Sequence, residues 1–301
     1  MEMTPLGKTG LKVSRLGGGL ARIGEELSMA DVEEAGQVLN AALDDGINFL
    51  DTAACYGVSE ELVGRTVSHR RDEYILATKC GHVTGGASGK LWSTQTIEDS
   101  IERSLLRMKT DYLDIVQLHS CDRATLERGE AVEALLNAKR SGKTRFVGFS
   151  GDNDAALWAV ESGLFDTLQT SFNFVDQRAR IKLFEPAKSR GMGIIIKRPV
   201  ANGVWGLDRS PYGYADEYFS RAKILDSTGP ILGGPDDPML AAMGFVLGHS
   251  EVDTAIVGTR NPAHMHRNVE QVETKLPVSQ EFVREVHHRF DMVGDKWAQL
   301  T

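Results

Sequence analysis

The sequence predicts an α/β fold, a (β/α)8 TIM barrel in a single domain spanning residues 1–301. Three observations predict it. Apolar strand-like runs alternate with helix-spaced segments eight times, with no break in composition. Runs such as "GIII" and "AIV" are apolar on both faces, which suits strands buried between a barrel interior and an outer layer of helices. The 301 residues match one barrel of roughly 250 residues plus additions, and no low-complexity tract or linker divides them. An N-terminal hairpin is expected before the barrel and an extra helix after it.

The elements follow in order. "LKVSRLGGG" supplies the first strand, and residues 31–45 carry Val32, Ala35, Val38, Leu39, Ala42 and Leu43 at helical spacing. "INFLD" is the second strand, followed by a helix from Ser59 to Val67. "YILATK" is the third, and "STQTIEDSIERSLLRM" places Ile97, Ile101, Leu105 and Met108 on one helix face. "YLDIVQLH" precedes a helix over 130–140 that Gly142 closes. "TRFVGFS", "DAALWAVESG", "FDTLQTSF", "RIKLFEPAKSRG" and "MGIIIK" continue the alternation. A stretch over 198–236 reads as irregular and too long for a plain connection, so it is expected to cover a site. In "DDPMLAAMGFVLGH", Asp237 can cap a helix and Pro238 can occupy its first turn. "VDTAIVG" and "NPAHMHRNVEQV" complete the barrel, and 279–293 is the added helix.

Composition narrows the function classes. A formal charge of −8 argues against a broad nucleic-acid surface. No apolar run approaches the roughly 20 residues that span a bilayer, and "MEMTPLGKTG" has no signal-peptide core. Cys55, Cys80 and Cys121 form no C-x-x-C pair and read as reduced thiols, so a cytoplasmic location and no metal are expected. Two phosphate motifs fail. "GGGLARIG" has Arg22 where the dinucleotide fingerprint needs its third glycine, and "GHVTGGAS" (81–88) has Ala87 where a phosphate loop needs lysine.

The strand ends carry the chemistry. The second strand delivers Asp51 and then Tyr56, the third ends in Lys79 and the fourth in His119. In a barrel, the carboxyl ends of adjacent strands open into one bowl. An ammonium at Lys79, held charged by Asp51, would lower the Tyr56 pKa, and His119 would donate to an oxygen beside the phenol. A proton donor aimed at an oxygen, with no nucleophile, suggests carbonyl reduction with hydride from a cofactor.

With these residues in place, "GINFLDTAACYG", "ATKCG", "DSIERSLLRMKTDYLDIVQLH" and "IVGTRNPAHMHRNVE" resemble the signatures of the aldo-keto reductases. The resemblance runs from "PLGKTGLKVSRLG" to about residue 273. It implies NADPH bound in extended form at the carboxyl ends of the strands, with no Rossmann domain. It makes Tyr56 the general acid, has Asp51 and Lys79 tune it, and has His119 orient the carbonyl. It also implies Ser150 and Gln169 at the nicotinamide carboxamide. Gly19 is expected along the cofactor, and Gly258, Thr259, Arg260, His264 and Asn268 around the adenosine, where Asn261–Pro262 opens a helix whose N-terminus favours phosphate. Two positions depart from the family's pattern. Gly151 stands where Asn is usual, and Lys197 where an aromatic residue stacks on the nicotinamide; Lys197 and Arg198 are expected to meet the pyrophosphate instead.

The cations of "GTRNPAHMHRN", with no acid before Glu270, favour the 2′-phosphate of NADPH over NADH. Trp92 and Trp205, in the loops after the third and seventh strands, are expected to wall the substrate. Two rival functions share parts of this reading. A Schiff-base aldolase also uses a strand-end lysine, and an NADP-binding regulatory subunit, like the potassium-channel β subunits, shares the fold. The substrate is expected to be a small carbonyl compound, alcohol or sugar.

Overall fold

The alternation resolves into ten strands in the computed structural model, which describes residues 1–84, 89–231 and 233–301. Residues 85–88, the end of the stretch rejected above as a phosphate loop, lie outside the described residues. Strands β1 (Met3–Pro5) and β2 (Lys12–Ser14) pair antiparallel as the expected hairpin. The other eight close into a parallel barrel: β3 (Leu16–Gly19), β4 (Phe49–Asp51), β5 (Ile75–Cys80), β6 (Leu113–His119), β7 (Thr144–Ser150), β8 (Thr167–Ser171), β9 (Gly193–Lys197) and β10 (Thr254–Val257). Barrel β10 pairs with β3 in parallel, Ala255 opposite Leu16, which leaves no free edge.

The hairpin stops one end of this barrel. Leu6, Leu11 and Val13 pack with Phe49, Ile75, Ala77, Ile115 and Ile195, the inward residues near the amino ends of their strands. The opposite faces of the strands bury Leu50, Leu76, Cys80, Val116, Leu118, Val147 and Leu168 under the helical layer. Helices start where the sequence signals them. The Ser93 hydroxyl accepts from the Thr96 N–H, and Asp237 accepts from Met239 and Leu240 with Pro238 in the first turn. The added helix is Gln280–Val293.

The 198–236 stretch departs from its expectation. It contains an 11-residue helix, Asp216–Asp226. Tyr218, Arg221, Ala222 and Leu225 form its buried face, and the arginine inside that stripe hides the helical period from a hydrophobicity reading. Arg221 is drawn inward by carbonyl acceptors, Ala298 at 2.9 Å and Val175 at 3.4 Å, and the Tyr218 hydroxyl donates to Asp176 at 3.0 Å. The segment is therefore anchored to the loop after β8 and to the chain at Ala298.

One histidine pair sets an acid sensitivity. His249 and His287 meet Nε2 to Nε2 at 2.9 Å, beside Phe245. Burial lowers both imidazoles, His287 to about 3. The folded protein therefore binds fewer protons than the unfolded chain below the ordinary histidine value of about 6.5, and stability is lost as pH falls from there toward 3. Melting temperature should drop more steeply between pH 7 and 5 in the wild type than in His287→Leu. Parallel curves would place the acid sensitivity elsewhere.

Candidate active site

Period-two alternation decides what each strand presents at the mouth. Phe49, Ile75, Ala77, Ile115 and Ile195 point inward, so Asp51, Lys79, Gln117, His119 and Lys197 fall on the same face one or two steps further along. The lower barrel is thus apolar and the upper layer polar, which is why a buried lysine can stand one residue before the end of strand β5.

There the residues form one network. The Lys79 ammonium, 1% exposed, donates to Asp51 Oδ2 at 2.6 Å and to the Thr52 carbonyl at 3.0 Å. It reaches the Tyr56 hydroxyl at 3.4 Å and lies 4.8 Å from the centre of the Tyr56 ring. Asp51 Oδ1 accepts from Gln169 at 2.7 Å and from Gln117 at 3.1 Å, and the Ser150 hydroxyl donates to Gln169 Oε1 at 2.9 Å. Asp51, Tyr56, Lys79 and His119 are brought together as expected, with the His119 and Tyr56 rings edge to face at 5.5 Å. Gln117 was missed, although it lies two residues before His119 on the same face.

A short helix, Ala21–Glu26, pins the Tyr56 loop. A Cβ at Gly24 would stand 2.0 Å from the Tyr56 carbonyl oxygen, and Val58 N–H donates to the Gly24 carbonyl at 3.2 Å. Arg107 reaches the Ala54 carbonyl at 3.4 Å and the buried Glu60 at 3.3 Å. Tyr56 is therefore carried by a braced turn, half-buried at the rim.

The electrostatics correct one expectation. Burial pushes the Tyr56 phenol above its ordinary value, and the Lys79 ammonium pulls it back only in part. The phenol stays protonated at neutral pH. Burial also opposes the Lys79 charge, but Asp51 and Tyr56 outweigh it and raise its pKa. A lysine held this firmly charged is poorly suited to Schiff-base chemistry, which needs a neutral amine. His119 is held well below its usual value, first by burial and then by Lys79, so its ring is neutral. Its Nδ1 lies 3.3 Å from the Cys55 sulfur, and burial raises the pKa of that thiol.

Lys197 and Arg198 have protein partners. Lys197 pairs with the buried Asp152 at 2.8 Å, and Arg198 donates to Ser171 at 3.2 Å and to the Leu300 carbonyl. The Gly151 departure has a packing cause: a Cβ there would stand 2.6 Å from the Phe149 ring. Trp92 stands at the mouth, edge to face with His82 at 5.2 Å. Trp205 packs on Phe174 at 5.0 Å, and its buried Nε1 has no acceptor among the described residues.

On the rim, Gly19 pairs with Asp51 across β3 and β4, and a Cβ at Gly258 would lie 2.9 Å from the Gly19 carbonyl. The Thr259 hydroxyl accepts from Asn261 N–H, and Asn261 caps the helix Pro262–Lys275. Within that helix His264 is exposed, Asn268 is half-buried, and His266 turns away to Asp45 at 3.1 Å. A cavity of about 630 Å³ lies against Arg260, Asn261 and Pro262, and Glu33, Glu34 and Gln37 line its other side. Arg260 pairs with Glu26 at 3.4 Å. The stretch 258–268 holds no acid, but the fold brings three glutamates beside its arginine.

Among the described residues no helix is long and apolar enough to cross a membrane. L-galactose dehydrogenase of Arabidopsis thaliana is 30% identical over 95% of this chain and 93% of its own. A probable voltage-gated potassium channel β subunit of Oryza sativa subsp. japonica is 32% identical, over 68% of this chain and 65% of its own. The solved holo form of an aldo-keto reductase from Bacillus halodurans superposes with a TM-score of 0.82 at 26% identity, covering 96% of both chains. The fold thus recurs in a solved aldo-keto reductase, and residues 15–288 match the Aldo/keto reductase family profile directly; the chain belongs to the aldo/keto reductase family of oxidoreductases.

Proposed function

We propose that the protein reduces an aldehyde or ketone, or oxidises the corresponding alcohol or sugar, with NADPH as its preferred cofactor and Tyr56 as general acid and base. The observation that carries this reading is the Lys79 ammonium, in contact with Asp51 and the Tyr56 hydroxyl at the mouth of the barrel. The nicotinamide, when bound, supplies the hydride. Tyr56 gives its proton to the carbonyl oxygen, and Lys79 stabilises the phenolate left behind. Neutral His119 donates one N–H to the same oxygen and fixes its direction. Asp51, held by Gln117 and Gln169, keeps the ammonium in place.

The cofactor fits the residues present. Gly19 and Gly258 leave the rim bare of side chains where a dinucleotide would pass, and the positive end of the Asn261-capped helix lies against the 630 Å³ cavity. Arg260 would take the 2′-phosphate, exchanging the exposed Glu26 for it, with Thr259, His264 and Asn268 around the adenosine and Ser150 and Gln169 at the carboxamide. Lys197 acts here by fixing Asp152, and Arg198 by holding the chain around Leu300. Trp92 walls the carbonyl site.

A second cofactor preference has its own observation. Glu33 and Glu34 line the same cavity, and carboxylates there would accept from a free 2′-hydroxyl, the group NADH carries. Titration of the protein with both dinucleotides decides between them. Arg260→Ala should weaken NADPH roughly ten- to a hundredfold, as the loss of a charge-assisted hydrogen bond implies, and leave NADH nearly unchanged. Equal losses, or a wild-type preference for NADH, would show that the glutamates govern the cavity. The reaction itself is tested by a panel of carbonyls, alcohols and sugars followed at the nicotinamide absorbance. One relative is an L-galactose dehydrogenase, so aldoses belong in it. Consumption of neither cofactor by any member would favour the regulatory-subunit reading.

A further inference from the structure

We propose that Cys55, His82 and His119 form a three-donor site for a zinc-class divalent cation, and that the bound ion competes with the carbonyl substrate. The three donors come from the carboxyl ends of three adjacent strands: Cys55 after β4, His82 after β5 and His119 at the end of β6. Their ligating atoms all lie within 4.8 Å of one another. The Cys55 sulfur is 3.3 Å from His119 Nδ1, and the two imidazoles are stacked with centroids 5.0 Å apart and planes 20° from parallel.

Tetrahedral zinc with Zn–S of about 2.3 Å and Zn–N of about 2.0–2.1 Å separates its ligand atoms by roughly 3.3–3.8 Å. The Cys55–His119 pair, at 3.3 Å, is already near that spacing; separations of up to 4.8 Å need a closure of about 1 Å, and the two stacked imidazoles must turn about χ2 to aim both lone pairs at one ion. One thiolate and two imidazoles suit zinc, cobalt or copper and not magnesium or calcium, which take oxygen ligands. All three side chains are half-buried at the mouth, so the ion has an entry path and its fourth position stays open to water.

Both imidazoles are held below their ordinary value by burial, which is the ligating form. The thiol must lose its proton: Cys55–SH and Zn²⁺ give the thiolate complex and one H⁺. Lys79, Lys197 and Arg198 oppose a dication here, and the thiolate charge offsets part of that repulsion. No spacing rule links positions 55, 82 and 119, so only the fold brings them together. The competition rests on the role proposed above for His119; the binding does not.

The test begins with chelator-treated, cofactor-free protein titrated with Co²⁺. A near-ultraviolet thiolate-to-cobalt charge-transfer band should rise to one equivalent and be displaced by Zn²⁺ but not by Mg²⁺. Cys55→Ser should abolish the band, and His82→Gln should weaken Zn²⁺ at least about tenfold, with circular dichroism confirming that each variant is folded. Absence of the band in the wild type, or its persistence in Cys55→Ser, overturns the site. In the turnover assay Zn²⁺ should compete with the carbonyl and not with the dinucleotide. An intact band without inhibition overturns the competition and the role of His119, and leaves the binding site standing.

Discussion

Tyr56→Phe is expected to lower kcat about 10²–10⁴-fold, the range that a positioned general acid contributes, while dinucleotide affinity and thermal stability stay at the wild-type level. Affinity should hold because the phenol is proposed to meet the carbonyl and not the adenosine or the pyrophosphate. Stability should hold because Lys79 keeps two acceptors, Asp51 at 2.6 Å and the Thr52 carbonyl at 3.0 Å, after the hydroxyl is gone. Steady-state kinetics with dinucleotide binding and a thermal melt read all three. Turnover within a few-fold of wild type would remove Tyr56 from the reaction. A large drop in melting temperature would instead make it a packing residue.

Lys79→Met should reduce turnover at least as far and, unlike the tyrosine variant, destabilise the fold. Asp51 is 1% exposed and would lose its counter-ion while keeping only Gln117 and Gln169 as donors. Breaking a buried pair from one side costs about 3–5 kcal/mol, whereas removing both charges together is often nearly neutral. The double variant Asp51→Asn, Lys79→Met should therefore recover much of the stability and none of the turnover. Recovery of turnover with stability would mean that the pair only supports the barrel and that proton transfer does not need the ammonium.

Much of this architecture was legible because buried strands and amphipathic helices leave different periods in the chain. The eight runs ending at Gly19, Asp51, Lys79, His119, Ser150, Phe172, Lys197 and Gly258 announced the barrel. The same period of two, counted back from residues at the mouth, predicts that Asp51, Lys79 and His119 share a face. The helix Asp216–Asp226 was hidden because Arg221 sits in its buried stripe, with carbonyl acceptors supplied by residues 175 and 298.

The electrostatics were less legible. The Tyr56 phenol is raised, not lowered, since burial depends on neighbours far along the chain. Lys197 found its partner in Asp152 and Arg260 found Glu26, Glu33 and Glu34, none of them near in sequence. Local charge counting over residues 258–268 could not register acids arriving from the helix Val32–Asp44.

Hydride transfer to a carbonyl that Tyr56 protonates is the proposed reaction, and isotope transfer tests it most directly. Dinucleotide carrying deuterium at the nicotinamide C4 position, in both the NADPH and NADH forms and both C4 configurations, would be incubated with the protein and the carbonyl panel, and the products weighed by mass spectrometry. The account predicts one deuterium on carbon in the alcohol product from one of the two configurations, at a rate that falls about 10²–10⁴-fold in Tyr56→Phe. Bound dinucleotide with no deuterium in any product, or transfer undiminished in Tyr56→Phe, would contradict it.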